Sequence, residues 1–251
     1  SPFGTAVVIA SDRGLAGLAF ADPGEEPAAL ADMQRRWPLA TIVFRPAIVQ
    51  GEEAAVSVAE AVRDLREIAD LLKDRRVVGL KLYPGYEPFY PYDKRCQVIY
   101  DLAMEFDVPV MIHTGDTYNP KGKLRYSHPL NIDDVAVDNP DPRLVICHIG
   151  NPWIRDCMEI VYKNKNVHAD ISGLVLGDFK SRFKKFMLQQ VKEMILYAGE
   201  PRYLLYGTDW PICRMRTYLK FVNELGLPPE TRELILWKNA AQLFKLNIRE
   251  T

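Results

Sequence analysis

Two short apolar runs end in the same way. Residues 108–115 (VPVMIHTG) and 143–150 (RLVICHIG) each close on a histidine followed, one residue later, by a glycine. Near-continuous apolar runs rich in β-branched residues, separated by helical stretches, read as parallel strands buried on both faces. Parallel neighbours need a crossover between them, which commits the chain to an α/β sheet. A polar side chain at the carboxyl end of such a strand is where α/β enzymes place their chemistry. A third run, residues 203–211 (YLLYGTDWP), puts Asp209 in the corresponding position. Two neutral imidazoles, His113 and His148, and one carboxylate converging from three strand ends make a candidate divalent-metal site. Any one of them alone is more often a hydrogen-bonded core residue; three at corresponding positions favour chemistry.

Composition narrows the classes. The 251 residues, 48% hydrophobic, can build one large domain or two small ones. With 32 basic and 33 acidic residues there is no electrostatic footprint for nucleic acid or an anionic membrane surface. The basic cluster at 180–185 (KSRFKK) reads as a solvated helix face. No apolar stretch approaches the ~20 residues of a membrane span. The first apolar run is short and broken by Ser11, Asp12 and Arg13, so no signal peptide is expected. Cys96, Cys147, Cys157 and Cys213 form no CxxC pair, and read as small core residues in a reducing compartment. The expectation is a cytoplasmic protein whose partners are a small-molecule substrate and, at most, a second copy of itself as a homodimer.

Taken in order, the chain begins with apolar segments at 3–10 and 15–21 joined by Ser-Asp-Arg-Gly, a hairpin pattern, followed by an amphipathic helix over 25–37. A strand at 41–46 and a long helix over 52–73 come next. Strands at 77–84, 108–113, 143–148, 166–172 and 203–209 then alternate with helices over 93–106, near 132–137, 153–162 and 179–197. Two helices, 214–225 and 229–246, complete the chain. Such alternation argues for a parallel sheet with right-handed crossovers. The irregular stretch 114–129 has the composition of a lid over the strand ends.

Two resemblances divide the chain at about residue 47. Residues 1–47, which open SPFGTAVVIASDRGLAGLAFADPGEEPAALADMQRRWP, resemble the amino-terminal segment of alkylguanine-DNA alkyltransferases. The Pro-Cys-His-Arg motif through which those proteins act is absent, so this resemblance carries no activity; it implies a natural fusion, a rearranged reading frame or a chimera. Residues 48–251 resemble the metal-dependent amidohydrolase-related superfamily, in the branch that includes decarboxylases. The matching stretches are GLKLYP (79–84), VPVMIHTGD (108–116), HPLNIDDVAVDNPDPRLVICHIG (128–150), NVHADISG (166–173), LLYGTDWP (204–211) and ILWKNAAQLFKL (235–246). The resemblance implies a TIM-barrel-like (β/α)8 domain with its site at the carboxyl ends of the strands. His113, His148 and Asp209 correspond to the family's histidines on strands five and six and its aspartate on strand eight. The family also opens with a His-x-His strand; the four histidines here are 113, 128, 148 and 168, so that pair is absent. The first barrel strands are therefore expected to be missing, or replaced by the hairpin and helix.

These residues set the functional expectation. Zn²⁺, with Mn²⁺ or Fe²⁺ as competitors, would be held by His113, His148 and Asp209, and Asp209 would take the proton of a metal-bound water. His148 alternatively polarises a substrate carbonyl. Lys81, inward-facing near the end of its strand, pairs with Asp209 or a substrate carboxylate, or is carbamylated; a structural ion pair is its bland alternative. His128 reads as a cap, and His168 and Asp170, sharing a strand face, as an interior polar pair. The reaction expected is hydrolysis of a small amide, ester or lactone. The alternatives are decarboxylation of a small carboxylic acid and a catalytically inactive barrel scaffold.

Overall fold

The computed structural model describes residues 5–11, 14–21, 58–74, 77–175, 181–198, 201–210, 212–213 and 215–246. The chain divides into two compact units, 1–77 and 78–251. In the first, β1 (Thr5–Ser11) and β2 (Gly14–Ala21) form the expected antiparallel hairpin, paired from Thr5 with Ala21 to Ser11 with Gly14, and register shifts between Ile9 and Ala10. They make a two-stranded sheet of their own. A helix spans Val58–Leu72; Leu72 is buried while Arg66, Glu67 and Asp70 are exposed, the alternation of an amphipathic helix. The helix expected over 25–37 and the strand at 41–46 lie outside the described residues.

The second unit holds five parallel strands in sequence order: β3 (Leu80–Leu82), β4 (Val110–Ile112), β5 (Leu144–Ile146), β6 (Val167–Asp170) and β7 (Leu204–Leu205). Helices connect them, so the architecture is TIM-barrel-like. Each strand is shorter than its apolar run, because pairing stops where the chain turns toward the site. One face of the sheet carries Val110, Ile112, Leu144, Ile146, Val167, Ala169 and Leu204, all fully buried. Against it lie helices Gln97–Glu105, Leu130–Asp138, Ile154–Lys163 and Ser181–Ala198, contributing Tyr100, Val135, Ile160 and Met194 to one core. In Ile154–Lys163 the buried positions 154, 157, 158 and 161 follow the helical period, which is why this segment is a helix with one apolar face.

The opposite face is a different environment. Register places Lys81 beside Met111, Met111 beside Val145 and Val145 beside His168, all by the two-residue period on this second face. Here the sheet is covered by the carboxyl-terminal helix Asn239–Leu243, whose Ala240 and Leu243, with Phe244, pack on Met111, Val145 and Leu205. Gly79 admits the Phe244 ring: a Cβ there would lie 3.2 Å from it and 3.3 Å from the Pro109 carbonyl. The Asn239 amide donates 2.8 Å bonds to the carbonyls of Pro201 and Leu204, anchoring this helix to the start of β7. Among the described residues no helix is long and apolar enough to cross a membrane.

Candidate active site

A cavity of about 230 Å³ opens on this second face. Its apolar floor is Met111, Leu205, Ala240 and Phe244. Its polar wall is Lys81, His148, Asp170, Ser172 and Asp209. The three residues read as catalytic in the sequence, Lys81, His148 and Asp209, thus come from β3 and the carboxyl ends of β5 and β7 to one cavity. His113 is not among its lining residues. It is buried, its ring 5.2 Å from that of His148 and 4.8 Å from that of Tyr86, both edge-on.

The backbone is bent where the site needs it. His148 has φ 62° and Asp209 φ 58°, the left-handed region that non-glycine residues seldom adopt. Such conformations cluster at functional sites because surrounding structure must hold them. Gly173, with φ +65°, supplies the clearance: a Cβ there would come 2.8 Å from His148 Nδ1 and 3.1 Å from Asp209 Oδ2.

Asp170 is the hub. Its Oδ1 accepts from the His148 backbone N–H at 3.0 Å, from the Ser172 N–H at 2.9 Å and from the Ser172 hydroxyl. The Ser172 hydroxyl oxygen is 2.9 Å from His148 Nδ1, and the Ser172 carbonyl is 3.2 Å from the same nitrogen. Burial opposes ionisation of Asp170, but the neighbouring His148 and Lys81 and the Ser172 hydrogen bond outweigh it and hold the carboxyl below its ordinary value. Lys81 Nζ donates to Cys147 Sγ at 2.6 Å and sits 5.2 Å from the Tyr83 ring centroid. Burial works against its charge, yet Cys147 and Asp170 more than compensate, so the ammonium is retained. Burial first, then the neighbouring His148 and Lys81, push His113 down to about 3, so its imidazole is neutral.

The sequence gives Asp170 little weight, presents Cys147 as core filling and does not single out Ser172. A signal exists all the same: Cys147 lies two residues after Val145, and Asp170 two after His168, so both share the cavity face by strand period. His168 itself packs edge-on to Tyr203, its ring 5.6 Å away. His128 precedes the Pro129 N-cap of the next helix, and its Nδ1 accepts the Leu130 N–H at 3.3 Å. The loop 114–129 contains a short helix, Leu124–Ser127, and its ends are tied by Gly115 N–H donating to the Ser127 carbonyl at 2.8 Å.

The donor types suit a transition metal; their placement does not. Among the described residues no three His, Cys, Asp or Glu side chains are arranged to hold an ion. His113 Nε2 lies 3.1 Å from the Asp116 carbonyl and His148 Nδ1 is taken by Ser172, which leaves the other nitrogen of each ring as its lone-pair donor. The set His113, His148 and Asp209 is gathered in one region without closing into a ligand shell.

Comparison with known proteins places this geometry. The amidohydrolase family model matches residues 5–246 without a break at residue 47, and nothing supports an alkyltransferase-like origin for the first segment. No curated relative matches the chain. Among solved structures, it is similar to an uncharacterised TIM-barrel protein from Bordetella bronchiseptica, with 26% identity, 87% of this chain and 72% of that one covered, and a TM-score of 0.62. It shares its fold with a dihydroxybenzoic acid decarboxylase from Polaromonas sp. JS666 solved with manganese and 2-nitroresorcinol (18% identity, 90% and 75% covered, TM-score 0.56). It also shares it with a manganese-bound 5-carboxyvanillate decarboxylase from Novosphingobium aromaticivorans (13% identity, 88% and 69% covered, TM-score 0.57).

Proposed function

We propose, from the premise that this chain belongs to the amidohydrolase family, that it hydrolyses a small amide, ester or lactone in the cavity beneath His148 and Asp209. The observation that carries this is the convergence of Lys81, His148 and Asp209, from three separate strands, on one small cavity. His148 takes a proton from a water that attacks the carbonyl carbon, and returns it to the departing nitrogen or oxygen as the acyl bond breaks. Asp209 favours the imidazolium formed in between. Lys81, charged and desolvated, faces the negative charge that develops on the carbonyl oxygen.

Decarboxylation of a small carboxylic acid is the second reading. The apolar floor of Met111, Leu205, Ala240 and Phe244 favours it, because a carboxylate drawn into that half of the cavity loses its water. The two manganese-bearing decarboxylases of similar fold speak for a divalent ion as well. Zinc, or manganese or iron, on His113, His148 and Asp209 would supply a Lewis acid, but those residues do not close around an ion.

The test is turnover of a panel of small lactones, esters, amides and aromatic acids, following acid release and CO₂ release in parallel. Acid release that falls by roughly 10²–10⁴ in kcat on His148→Ala is expected. CO₂ release in its place selects the second reading. Neither, with a ligand demonstrably bound, leaves the inactive scaffold.

A further inference from the structure

The hydrogen bonds around His148 fix more than its position. A serine hydroxyl has one proton to give, and an ionised carboxylate can only accept. The Ser172 hydroxyl is bonded to Asp170 Oδ1 on one side and to His148 Nδ1 on the other. Asp170 Oδ1 also accepts the backbone N–H groups of His148 and Ser172, so it is the acceptor of the pair: the Ser172 proton goes to it, and the Ser172 oxygen is left to accept from the ring. The second neighbour of Nδ1, the Ser172 carbonyl at 3.2 Å, is likewise an acceptor only. Both partners therefore require a proton on Nδ1, and the lone pair of the neutral ring is confined to Nε2. Asp170 also takes the His148 backbone N–H, so the same carboxylate holds the strained backbone of that residue and sets the state of its side chain.

We propose that Asp170, acting through the Ser172 hydroxyl, is a positioning residue that locks His148 in the Nδ1–H tautomer and leaves Nε2 as its one basic nitrogen. This rests on the reading of His148 as the proton-transfer group, but it makes a claim about the ring that holds in the resting protein. Removing the carboxylate releases the serine proton. In Asp170→Ala the Ser172 hydroxyl has lost its acceptor, its proton turns to Nδ1, and the ring carries its proton on Nε2 instead. The basic nitrogen would then be engaged by serine rather than available for proton transfer. A catalytic ring held in the wrong tautomer loses orders of magnitude in kcat.

The test is ring-nitrogen NMR of the full chain labelled with ¹⁵N-histidine, at a pH where the histidines are neutral, with His148→Gln identifying the resonances of residue 148. The wild-type protein is expected to show protonated Nδ1 and bare Nε2. Asp170→Ala is expected to move the proton to Nε2 wholly or in large part, and, on whatever substrate the panel yields, to lower kcat by about 10²-fold or more with KM changed less than about threefold. Ser172→Ala, which keeps only the carbonyl acceptor, is expected to give a mixture of tautomers, whereas Ser172→Thr keeps the hydroxyl and retains one. A wild-type ring protonated on Nε2 overturns the proposal. So does an Asp170→Ala or Ser172→Ala protein that is folded, by an unchanged backbone amide spectrum away from the site, yet keeps the wild-type tautomer. If Asp170→Ala does not fold, the wild-type spectrum and the two Ser172 variants decide. The spectrum needs no turnover, so absence of hydrolysis would sink the proposed reaction and leave this inference standing or falling alone.

Discussion

His148 and Asp209 meet at Gly173: a Cβ on that glycine would stand 2.8 Å from one side chain and 3.1 Å from the other. The two residues arrive from different strands, each with a left-handed backbone, and the glycine between them also has positive φ. Three turns at the carboxyl edge of the sheet are thus shaped around a single point of contact.

Gly173→Ala should therefore do two kinds of damage. A side chain in the left-handed region costs about 1–2 kcal/mol. The added methyl also drives His148 or Asp209 from its place, and a shift of about 1 Å at a reacting group can cost on the order of 10²-fold in rate. The expected result is a melting temperature lower by roughly 2–6 °C, with turnover falling far more than that loss of stability explains. Unchanged turnover in the folded variant would show that the contact is irrelevant to the chemistry.

The acid side of the stability curve should report His168. Burial, then the charges of Arg143 and Arg202, lower its pKa from 6.5 to about 4, and its Nδ1 is buried without a hydrogen-bond partner. A histidine depressed in the folded state is neutral there while its unfolded counterpart takes a proton. The stability it contributes is complete above pH 6.5, and is lost as pH falls toward 4. The slope from this group alone is at most about 1.4 kcal/mol per pH unit. His168→Leu should flatten the fall in melting temperature between about pH 6.5 and 4, measured against the wild-type chain. A variant whose acid profile overlays the wild type would contradict this.

How much of the molecule is legible in its sequence depends on which residues carry a period. The strands at 110–112, 144–146 and 204–205 are readable because continuous β-branched and leucine runs admit little else. The histidine and aspartate at their ends are readable because polar residues interrupt those runs. The hairpin of β1 and β2 is readable from its central Asp-Arg-Gly. Ser172 and Asp170 are not, because their role lies in hydrogen bonds between β5 and β6, whose register no single sequence reveals. The covering of the second face by Ala240, Leu243 and Phe244 is hidden for a related reason. NAAQLF has an ordinary amphipathic pattern, and which face of the sheet it meets is set by tertiary packing alone.

That covering can be weighed. Leu243 is buried against Val145 and Leu205. Leu243→Ala should cost about 2–4 kcal/mol, the usual range for a buried leucine. Phe244→Ala, at the cavity floor, should cost less because the ring is half-buried, but should enlarge the cavity and loosen its grip on small apolar ligands. Urea unfolding of both variants with an unchanged m-value is the measurement. If Leu243→Ala matches the wild type, the helix does not cover the sheet in solution.

Metal uptake is the sharpest remaining divide between chemistry and scaffold. Nitrogen and oxygen donors at His113, His148 and Asp209 have the right affinity for zinc, manganese or iron(II). A tight site, however, needs three or more ligands at fixed short distances. Here no such group exists among the described residues. The Asp116 carbonyl and Ser172 each engage one imidazole nitrogen and leave the other for an ion, so it is the arrangement of the donors that keeps the shell open. The expectation is that the chain, equilibrated with each metal and then passed through gel filtration, retains well under one equivalent by elemental analysis. The little that is retained should fall further in Asp209→Asn, a nearly isosteric change that removes the one anionic donor of the set. Stoichiometric zinc, manganese or iron surviving the column, and lost in Asp209→Asn, would mean that the side chains rearrange around an ion, and would return the metal-bound water to the centre of the reaction.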